Sequence, residues 1–226
     1  MNKKLCKISA SLMCADPYNL KSELNILNNE NIDYFHIDIM DGHFVPNYGL
    51  SLDFCKKIKK NSKIPFDYHL MIEEPHKLIP ILNLQENDIV SIHYESTYYI
   101  KEVIEQIKKT KAKLFIAIKP TTPIIILDSI IEYINGINFL TVNPGFAGQQ
   151  ILDISYKKAE KLIDYINKRS TNSVDFEVDG NMNLKNIKIF KELGANIFVV
   201  GSSSLFGKND MKNELMKIKK ILISEV

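Results

Sequence analysis

Eight short apolar segments recur along the chain at nearly even spacing, and longer amphipathic segments lie between them. Each short segment ends in polar residues or glycine, a pattern typical of buried strands in a parallel sheet that helices cover. The predicted strands are Lys7–Ser11, Tyr34–Ile39, Phe66–Leu70, Ile89–His93, Leu114–Ile118, Phe139–Val142, Val174–Val178 and Ile197–Val200. The clearest helical patterns are Asn19–Asn29, Ser155–Arg169, Leu184–Leu193 and Met211–Leu222, and Gly194 is expected to end the third.

Eight strand-helix units in 226 residues correspond to the length of a compact (β/α)8, or TIM, barrel. The chain shows no linker, low-complexity tract or change in composition that would separate two domains. The sequence therefore predicts an α/β protein with one barrel domain over residues 1–226. A doubly wound open sheet is the structural alternative, but the even spacing of the units favours closure. In a barrel of this type, the functional residues are expected at the carboxyl ends of the strands.

The charge balance excludes several classes of partner. A formal net charge of +2 gives no field of one sign that would attract nucleic acid or an anionic membrane. No apolar run approaches the ~18 residues of a membrane span. Lys7 interrupts the apolar stretch near the N-terminus, so we expect no signal peptide. Arg169 is the single arginine, so a bound anion must be held by backbone N–H groups, hydroxyls or lysines.

The cysteines indicate a reducing compartment. Cys6, Cys14 and Cys55 are odd in number and show no C-x-x-C spacing, so neither a disulfide framework nor a zinc ribbon is expected. We predict a cytoplasmic location. No surface pattern in the sequence fixes an oligomeric state, and a closed symmetric homo-oligomer, most simply a dimer, is the expectation.

Polar residues gather at the predicted carboxyl ends of three strands. His36 and Asp38 lie two apart on the second strand, and therefore project to the same side. His69 ends the third strand in the same way, and Asp179 follows the seventh. Two imidazoles and two carboxylates at neighbouring strand ends can surround one divalent cation, such as Zn²⁺, Fe²⁺, Co²⁺ or Mn²⁺. The alternative is four separate polar residues at the rim, each paired with a neighbour; the paired spacing on adjacent strands favours the metal site.

Other residues at these strand ends indicate a function less specifically. Met40 and Met71 each lie two residues beyond a predicted ligand, and they are either an apolar lid over the metal or ordinary core residues. His93 and Glu95 are expected to act as hydrogen-bond partners rather than as ligands. The remaining histidines, His43 and His76, are interpreted as solvated.

Three glycine-containing loops follow the last three strands, and the last of them also contains three serines. They are Asn143–Gln149, Asp179–Asn181 and Gly201–Ser204. Loops at these positions commonly bind phosphate, because glycine allows backbone N–H groups to approach an anion and serine adds hydroxyl donors. Such a site needs no arginine, in agreement with the composition.

Together these motifs resemble the ribulose-phosphate 3-epimerase family over nearly the whole chain. The most specific element is the segment His36-Ile-Asp-Ile-Met-Asp-Gly-His-Phe-Val-Pro-Asn47. Supporting elements are Asp67-Tyr-His-Leu-Met71, Thr141-Val-Asn-Pro-Gly-Phe-Ala-Gly-Gln149, Val178-Asp-Gly180 and Gly194-Ala-Asn-Ile-Phe-Val-Val-Gly-Ser202.

The resemblance implies interconversion of D-ribulose 5-phosphate and D-xylulose 5-phosphate in the pentose phosphate pathway. It implies one divalent metal ion, most simply Zn²⁺ or Fe²⁺, with Mn²⁺ or Co²⁺ as alternatives. The implied metal ligands are His36, Asp38, His69 and Asp179, and the implied acid/base pair is Asp38 and Asp179. The implied substrate contacts are Ser11, His36, His69, Gly145, Phe146, Ala147, Gly148, Asp179, Gly180, Asn181, Gly201 and Ser202. Met40, Met71 and Leu140 would form the apolar lid.

The chain departs from the family pattern at four positions. Asn181 replaces a second glycine, and asparagine is the residue that best tolerates left-handed backbone after glycine. Asn143 and Ala147 stand where the family usually has Glu and Gly, and Leu140 replaces a third methionine. We expect these changes to affect loop geometry and the surroundings of the metal more than the reaction itself.

Three other functions remain open from the residues. A 3-epimerase of a hexulose 6-phosphate, such as D-allulose 6-phosphate, would use the same metal and acid/base pair. A metal-dependent decarboxylase or aldolase would need a lysine at a strand end, and Lys119 is the obvious candidate, although it resembles a structural residue. A barrel that binds sugar phosphate without turnover is the alternative outside the enzymes.

Overall fold

The computed structural model describes residues 4–170 and 172–224, and its eight parallel strands close into a barrel. The strands are β1 (Lys7–Ser11), β2 (Tyr34–Met40), β3 (Phe66–Met71), β4 (Ile89–His93), β5 (Lys113–Ile118), β6 (Gly136–Leu140), β7 (Asp175–Asp179) and β8 (Ile197–Val200). Each strand pairs with the next, and β1 pairs with β8 through Ile8 and Phe198 among others. The predicted (β/α)8 fold is confirmed. The predicted domain limits, residues 1 and 226, lie outside the described residues.

The predicted sixth strand, Phe139–Val142, is wrong by about three residues at its start, because the strand begins at Gly136. In the barrel, Gly136 faces the ring of Phe115 on the neighbouring strand, and a Cβ at this position would lie 2.4 Å from that ring. Glycine is therefore required here because the phenylalanine fills the space that a side chain would occupy.

Six regular helices cover the outside of the barrel within the described ranges. They are α1 (Leu20–Asn29), α2 (Leu52–Asn61), α3 (Ile100–Lys108), α4 (Ile154–Arg169), α5 (Leu184–Glu192) and α6 (Met211–Ile223). Side chains cap three of them: Ser51, Asn183 and Asp210 accept hydrogen bonds from backbone N–H groups of the first turns. Gly194 follows α5 with a φ of +107°, as expected of the residue that ends this helix.

Within the described residues, two of the eight strands are followed by 3-10 turns in place of a regular helix, which corrects the sequence expectation. After β3 the chain forms 3-10 turns at Pro75–Lys77 and Ile79–Ile81, and after β5 it forms 3-10 turns at Ile124–Ser129 and Ile131–Tyr133. Prolines begin or interrupt these segments, and a run of isoleucines follows one of them. Proline lacks the N–H donor, and β-branched residues crowd a helical turn, so the short segments adopt tighter turns.

The outward-facing residues of the strands pack against the helices in the main apolar core, which includes Ile37 and Ile39 of β2. Inside the barrel, Tyr34, Ile89, Phe115 and Ile197 form a separate apolar cluster. Fully buried polar residues lie between this cluster and the mouth of the barrel: Ser9, His36, Asp67, Ser91, Asn138 and Glu177. The interior is therefore apolar at one end and polar toward the carboxyl ends of the strands.

Two expectations from the sequence, on membrane spans and on disulfides, can be compared with the structure. Within residues 4–170 and 172–224, no helix has the length and apolar character needed to cross a membrane. Cys6, Cys14 and Cys55 form no disulfide with one another.

The close approach of Gly136 to Phe115 can be tested by substitution. Gly136→Ala is expected to lower the free energy of unfolding by about 1–3 kcal/mol, because the added methyl group overpacks the barrel interior. Urea denaturation followed by circular dichroism measures the change. Adding Phe115→Leu to the same chain should recover part of the loss, with Phe115→Leu alone as the control. An unfolding midpoint for Gly136→Ala equal to that of the unmodified protein would contradict this packing argument.

Candidate active site

Three strands bring the predicted ligands to one place at the mouth of the barrel. His36 and Asp38 come from β2, His69 from β3, and Asp179 from the end of β7. The register of β2 and β3 pairs Asp38 directly with His69. One nitrogen or oxygen atom from each of the four side chains lies within 4.8 Å of all the others. The closed barrel therefore assembles a cluster from residues that are far apart in sequence.

The donor atoms of the cluster face one another at nearly equal separations. His36 Nε2 lies 3.4 Å from Asp38 Oδ1 and 3.6 Å from Asp179 Oδ2, and His69 Nδ1 lies 3.3 Å and 3.5 Å from the same two oxygens. Ligands at the usual zinc bond lengths of about 2.0–2.1 Å in a tetrahedron are roughly 3.4 Å apart. Both imidazole nitrogens are buried and have no hydrogen-bond partner. The four side chains therefore fit a divalent cation.

A second set of buried groups supports His36 on the other side of its ring. His36 Nδ1 lies 2.7 Å from Asp67 Oδ2, which also accepts a hydrogen bond of 2.7 Å from the hydroxyl of Ser9. The fully buried Glu177 lies 3.8 Å from the same imidazole nitrogen. Sequence reasoning did not single out Asp67 or Glu177. Each precedes a predicted ligand by two residues on its strand, so the period-2 alternation that placed the ligands would also have placed these two carboxyl groups inside the barrel.

The buried charges change the protonation of the cluster. Burial lowers the pKa of His36, but the negative charges of Asp67 and Asp38 outweigh burial and hold that pKa well above its ordinary value. Burial raises the pKa of Asp38, but His36 and His69 outweigh it and hold the carboxyl well below its ordinary range. For Glu177, burial and then the charge of Asp67 both raise the pKa. The interior thus favours an ionised Asp38 and disfavours an ionised Glu177.

His69 contacts another histidine rather than a carboxylate at its second nitrogen. Its Nε2 lies 2.9 Å from Nε2 of His93, which is fully buried at the end of β4. Burial lowers the pKa of His93 to about 4, so this imidazole is neutral at physiological pH. Beyond it, Glu95 Oε2 lies 3.8 Å from His93 Nδ1.

A cleft opens above the cluster and is lined by the predicted phosphate loops. Asp38, His69 and Asp179 line it together with Ser11, Gly145–Gly148, Gly180, Asn181, Gly201 and Ser202. Among the described residues, His36 does not line the cleft; it reaches the cluster from within the barrel. The hydroxyl of Ser11 donates a 3.0 Å hydrogen bond to Asp38 Oδ2, so Ser11 orients that carboxylate.

Asn181 and Gly145, in the loops of the cleft, both adopt a positive φ. Asn181 adopts a φ of +48°, the left-handed conformation that the sequence argument required of it, and its side chain donates to Gln149 O at 2.6 Å. Gly145 has a φ of +114°, and Asn47 of the β2 loop donates to its carbonyl oxygen at 2.7 Å. The side chain of Gln149 donates to the carbonyl oxygens of Asn143 and Phe146. The loop after β6 is therefore braced at several points, while Phe146 is about half exposed.

Two of the predicted lid residues belong to an apolar cluster. Met40 and Met71 pack with Val45, and Met13 and Phe44 pack against these three side chains. Leu140 lines the same cleft and is buried, but it lies outside that cluster and pairs in register with Asp179. The sequence argument did not select Met13, in the 3-10 turn after β1, or Val45, in the loop after β2, because only the fold brings them to the site.

Two expectations from the sequence need correction. His76 is not simply solvated, because its half-buried ring packs edge-on against Tyr99 at 5.0 Å between centroids. Lys119 is not an isolated structural lysine among apolar residues, because its ammonium group lies 3.6 Å from Glu95 Oε1 and over the ring of Phe44. His43 is exposed, as predicted.

Comparison with known proteins identifies the family. The family model described as "Ribulose-phosphate 3 epimerase family" matches residues 7–206. The curated ribulose-phosphate 3-epimerase of Methanocaldococcus jannaschii is 32% identical over 95% of this chain and 90% of its own length. That of Bacillus subtilis is 31% identical over 95% of this chain and 99% of its own length. The chain therefore belongs to the ribulose-phosphate 3-epimerase family, and it is an enzyme of the isomerase class.

Solved structures support the fold independently. The 3-hexulose-6-phosphate synthase of Salmonella typhimurium superimposes with a TM-score of 0.71 at 15% identity, covering 96% of this chain and 98% of that one. At such low identity the likeness concerns the barrel architecture alone.

The donor cluster predicts metal binding that depends on Asp179. After treatment with a chelator, the protein should take up one divalent ion per chain in a calorimetric titration. Asp179→Asn should weaken this binding by more than roughly 100-fold, because loss of a ligand exceeds the effect of losing an outer hydrogen-bond partner. Asp175→Asn, at the other end of the same strand, is the matched control and should bind as the unmodified protein does. Equal affinity of the two variants would exclude Asp179 as a ligand.

Proposed function

We propose that this enzyme interconverts D-ribulose 5-phosphate and D-xylulose 5-phosphate by transfer of a proton at C3. The observation that carries the proposal is the position of two carboxylates, Asp38 and Asp179, at one cluster in the mouth of the barrel of a chain from this family. Inversion at a carbon centre needs one group to remove a proton from one face and another group to return a proton to the opposite face. Two carboxylates from strands β2 and β7, which β1 and β8 separate, meet that requirement.

We assign the two roles by direction of reaction. From ribulose to xylulose, Asp38 accepts the proton from C3 and Asp179 donates a proton to the other face, and the roles reverse in the opposite direction. The nearby His36 and His69 lower the pKa of Asp38 and keep its carboxylate ionised, as a proton acceptor must be. The hydroxyl of Ser11 fixes the orientation of the Asp38 carboxylate. Each carboxyl group must be in the opposite protonation state to its partner, since one accepts a proton while the other donates one.

Four side chains would hold one divalent cation: His36, Asp38, His69 and Asp179. When bound, such a cation supplies Lewis-acid stabilisation of the negative charge that develops on the substrate oxygens during proton removal. We propose Zn²⁺ or Fe²⁺, with Mn²⁺ or Co²⁺ also compatible with mixed nitrogen and oxygen donors. Met40, Met71 and Leu140 would limit access of water and thereby unwanted proton exchange.

The phosphate group would bind at the loops that follow β6, β7 and β8. The backbone N–H groups of Gly145, Phe146, Ala147, Gly148, Gly180, Asn181, Gly201 and Ser202 are the proposed donors, with Ser11, His36 and His69 toward the sugar. The positive φ angles of Gly145, Gly148 and Gly180 support this role, because they allow an anion to approach the main chain closely. The loop with Phe146 at its tip would cover the bound sugar phosphate.

The proposal extends to the setting of the enzyme. We propose a cytoplasmic enzyme of the pentose phosphate pathway in which residues 1–226 act as one catalytic domain. It would need no nucleic acid or membrane partner and would form a homo-oligomer, most simply a dimer.

Proton exchange in D₂O tests the assignment. With a divalent metal and ribulose 5-phosphate, the unmodified enzyme should produce xylulose 5-phosphate with deuterium at C3, as followed by NMR. Asp179→Asn should slow epimerisation by about 10²–10⁴-fold. With enough metal to saturate the weakened site, exchange at C3 of ribulose 5-phosphate should persist in this variant, because it requires Asp38 but not Asp179 as a base. Asp175→Asn again serves as the control.

Two results would overturn parts of the proposal. Absence of exchange with all of Zn²⁺, Fe²⁺, Mn²⁺ and Co²⁺ would exclude epimerisation of this substrate. Undiminished epimerisation by Asp179→Asn would exclude the second acid/base.

The preference for a five-carbon substrate is a separate prediction. The kcat/KM for ribulose 5-phosphate should exceed that for D-allulose 6-phosphate by about tenfold or more, since an extra carbinol must find room and hydrogen bonds in the cleft. Steady-state assays of both sugars with one enzyme preparation give this ratio. A ratio in favour of the six-carbon sugar would change the substrate assignment but leave the two-carboxylate mechanism intact.

A further inference from the structure

The two histidines of the cluster present different nitrogens to the carboxylates. His36 faces Asp38 and Asp179 through Nε2, whereas His69 faces them through Nδ1. The remaining nitrogen of each ring is also engaged. For His36 it meets the carboxylate of Asp67, and for His69 it meets the imidazole of His93. A metal-ligating histidine normally donates from its second nitrogen, which fixes its tautomer.

The contact between His69 and His93 requires a specific placement of one proton. The two Nε2 atoms lie 2.9 Å apart with the rings stacked at 29°, so one nitrogen donates and the other accepts. If His93 donated, a neutral His69 would carry its proton on Nδ1, the nitrogen that faces Asp38 and Asp179. If His69 donates, its Nδ1 lone pair is free. The direction of this hydrogen bond therefore decides whether His69 can act as a ligand.

The position of Glu95 favours donation by His69. Its carboxylate oxygen lies 3.8 Å from Nδ1 of His93, too far for a direct hydrogen bond but close enough to attract a proton to that nitrogen. The same carboxylate is held by the hydroxyl of Thr122 and by the ammonium group of Lys119 at 3.6 Å. A neutral His93 with its proton on Nδ1 has an Nε2 that can only accept.

An imidazole next to Nε2 of His69 also adds less buried negative charge than a carboxylate would. The barrel interior already holds Asp38, Asp67, Asp179 and Glu177 around two histidines. A carboxylate in direct contact with His69 would add a further buried negative charge at a cost of several kcal/mol unless it were paired. The neutral ring of His93 carries the orienting effect outward to Glu95, which is partly exposed and has Lys119 beside it.

We propose that His93 and Glu95 are positioning residues that hold His69 with its proton on Nε2 and so present Nδ1 to the metal. This proposal rests on the metal site of the proposed function. Phe44, whose ring centroid lies 4.7 Å from that of His93, packs against the imidazole and restricts its rotation. Neither residue touches the reacting carbon in this scheme; both act through His69.

The test replaces His93 with residues of graded hydrogen-bonding ability. His93→Phe keeps a ring but removes the acceptor, and His93→Gln restores an amide oxygen that can accept. We expect the Zn²⁺ affinity of His93→Phe to fall by about 10–100-fold, and that of His93→Gln and Glu95→Gln to fall less. His76→Phe is the matched control, because His76 also packs against an aromatic ring but lies outside the cluster. Its affinity should not change.

Nitrogen-15 NMR of the histidine rings gives the deciding measurement. In the unmodified protein, both Zn²⁺-loaded and metal-free in alkaline buffer, His69 should carry its proton on Nε2. In metal-free His93→Phe this preference should be lost, with the unfolding midpoint recorded to show that the variant is folded. A proton on Nδ1 of His69 in the unmodified protein, or unchanged tautomer and affinity in His93→Phe, would overturn the proposal.

Failure of the proposed function gives a different result. If the unmodified protein turned over its substrate without binding any metal, the metal role would be excluded, and with it the purpose assigned to His93. The spectra of metal-free protein would still decide the direction of the hydrogen bond between the two imidazoles.

Discussion

The burial of several carboxylates and imidazoles inside one barrel is the constraint on which the rest of the structure depends. Asp38, Asp67 and Glu177 are almost completely removed from water, and each would be strongly destabilising alone. Asp38 and Asp67 are tolerated because His36 lies between them, hydrogen-bonded to Asp67 on one side and facing Asp38 on the other, whereas Glu177 favours its neutral form. A cation at the facing nitrogens and oxygens would complete the compensation. The buried charges that destabilise the interior therefore also suit it to bind a cation.

Parallel closure of the barrel gives this arrangement its geometry. All eight strands deliver their carboxyl ends to one mouth, and the register between β2 and β3 sets Asp38 beside His69. The apolar cluster around Phe115 closes the opposite part of the interior, and Gly136 makes room for that ring. Stability and function are thus separated along the barrel axis, with packing at one end and chemistry at the other. The loops after β6, β7 and β8 add backbone N–H groups at the mouth without disturbing either.

Much of the fold could be predicted because its signals are local. The alternation of apolar strands with amphipathic segments is visible in the chain, and three predicted strands, including Lys7–Ser11 and Ile89–His93, have the observed limits. One error arose where a distant contact decides: Gly136 lies within a strand, against the ring of Phe115. The other came from local signals: prolines and isoleucines disfavour a helix in the segments after β3 and β5, which form 3-10 turns. Asn181 adopts the expected left-handed φ, because asparagine tolerates this conformation better than other residues with a side chain.

The sequence by itself determined the class of fold, the family and the four side chains that face one another, since period-2 alternation assigns each strand residue to one side of the sheet. Only the tertiary structure decided which nitrogen of each histidine faces the carboxylates and which group holds the other. Asp67 and His93 stand 31 and 24 residues from the histidines that they contact, on adjacent strands. Their roles depend on the orientation of the rings and on differences in distance of about an ångström. Both follow from packing in three dimensions, and the periodicity of the sequence does not predict them.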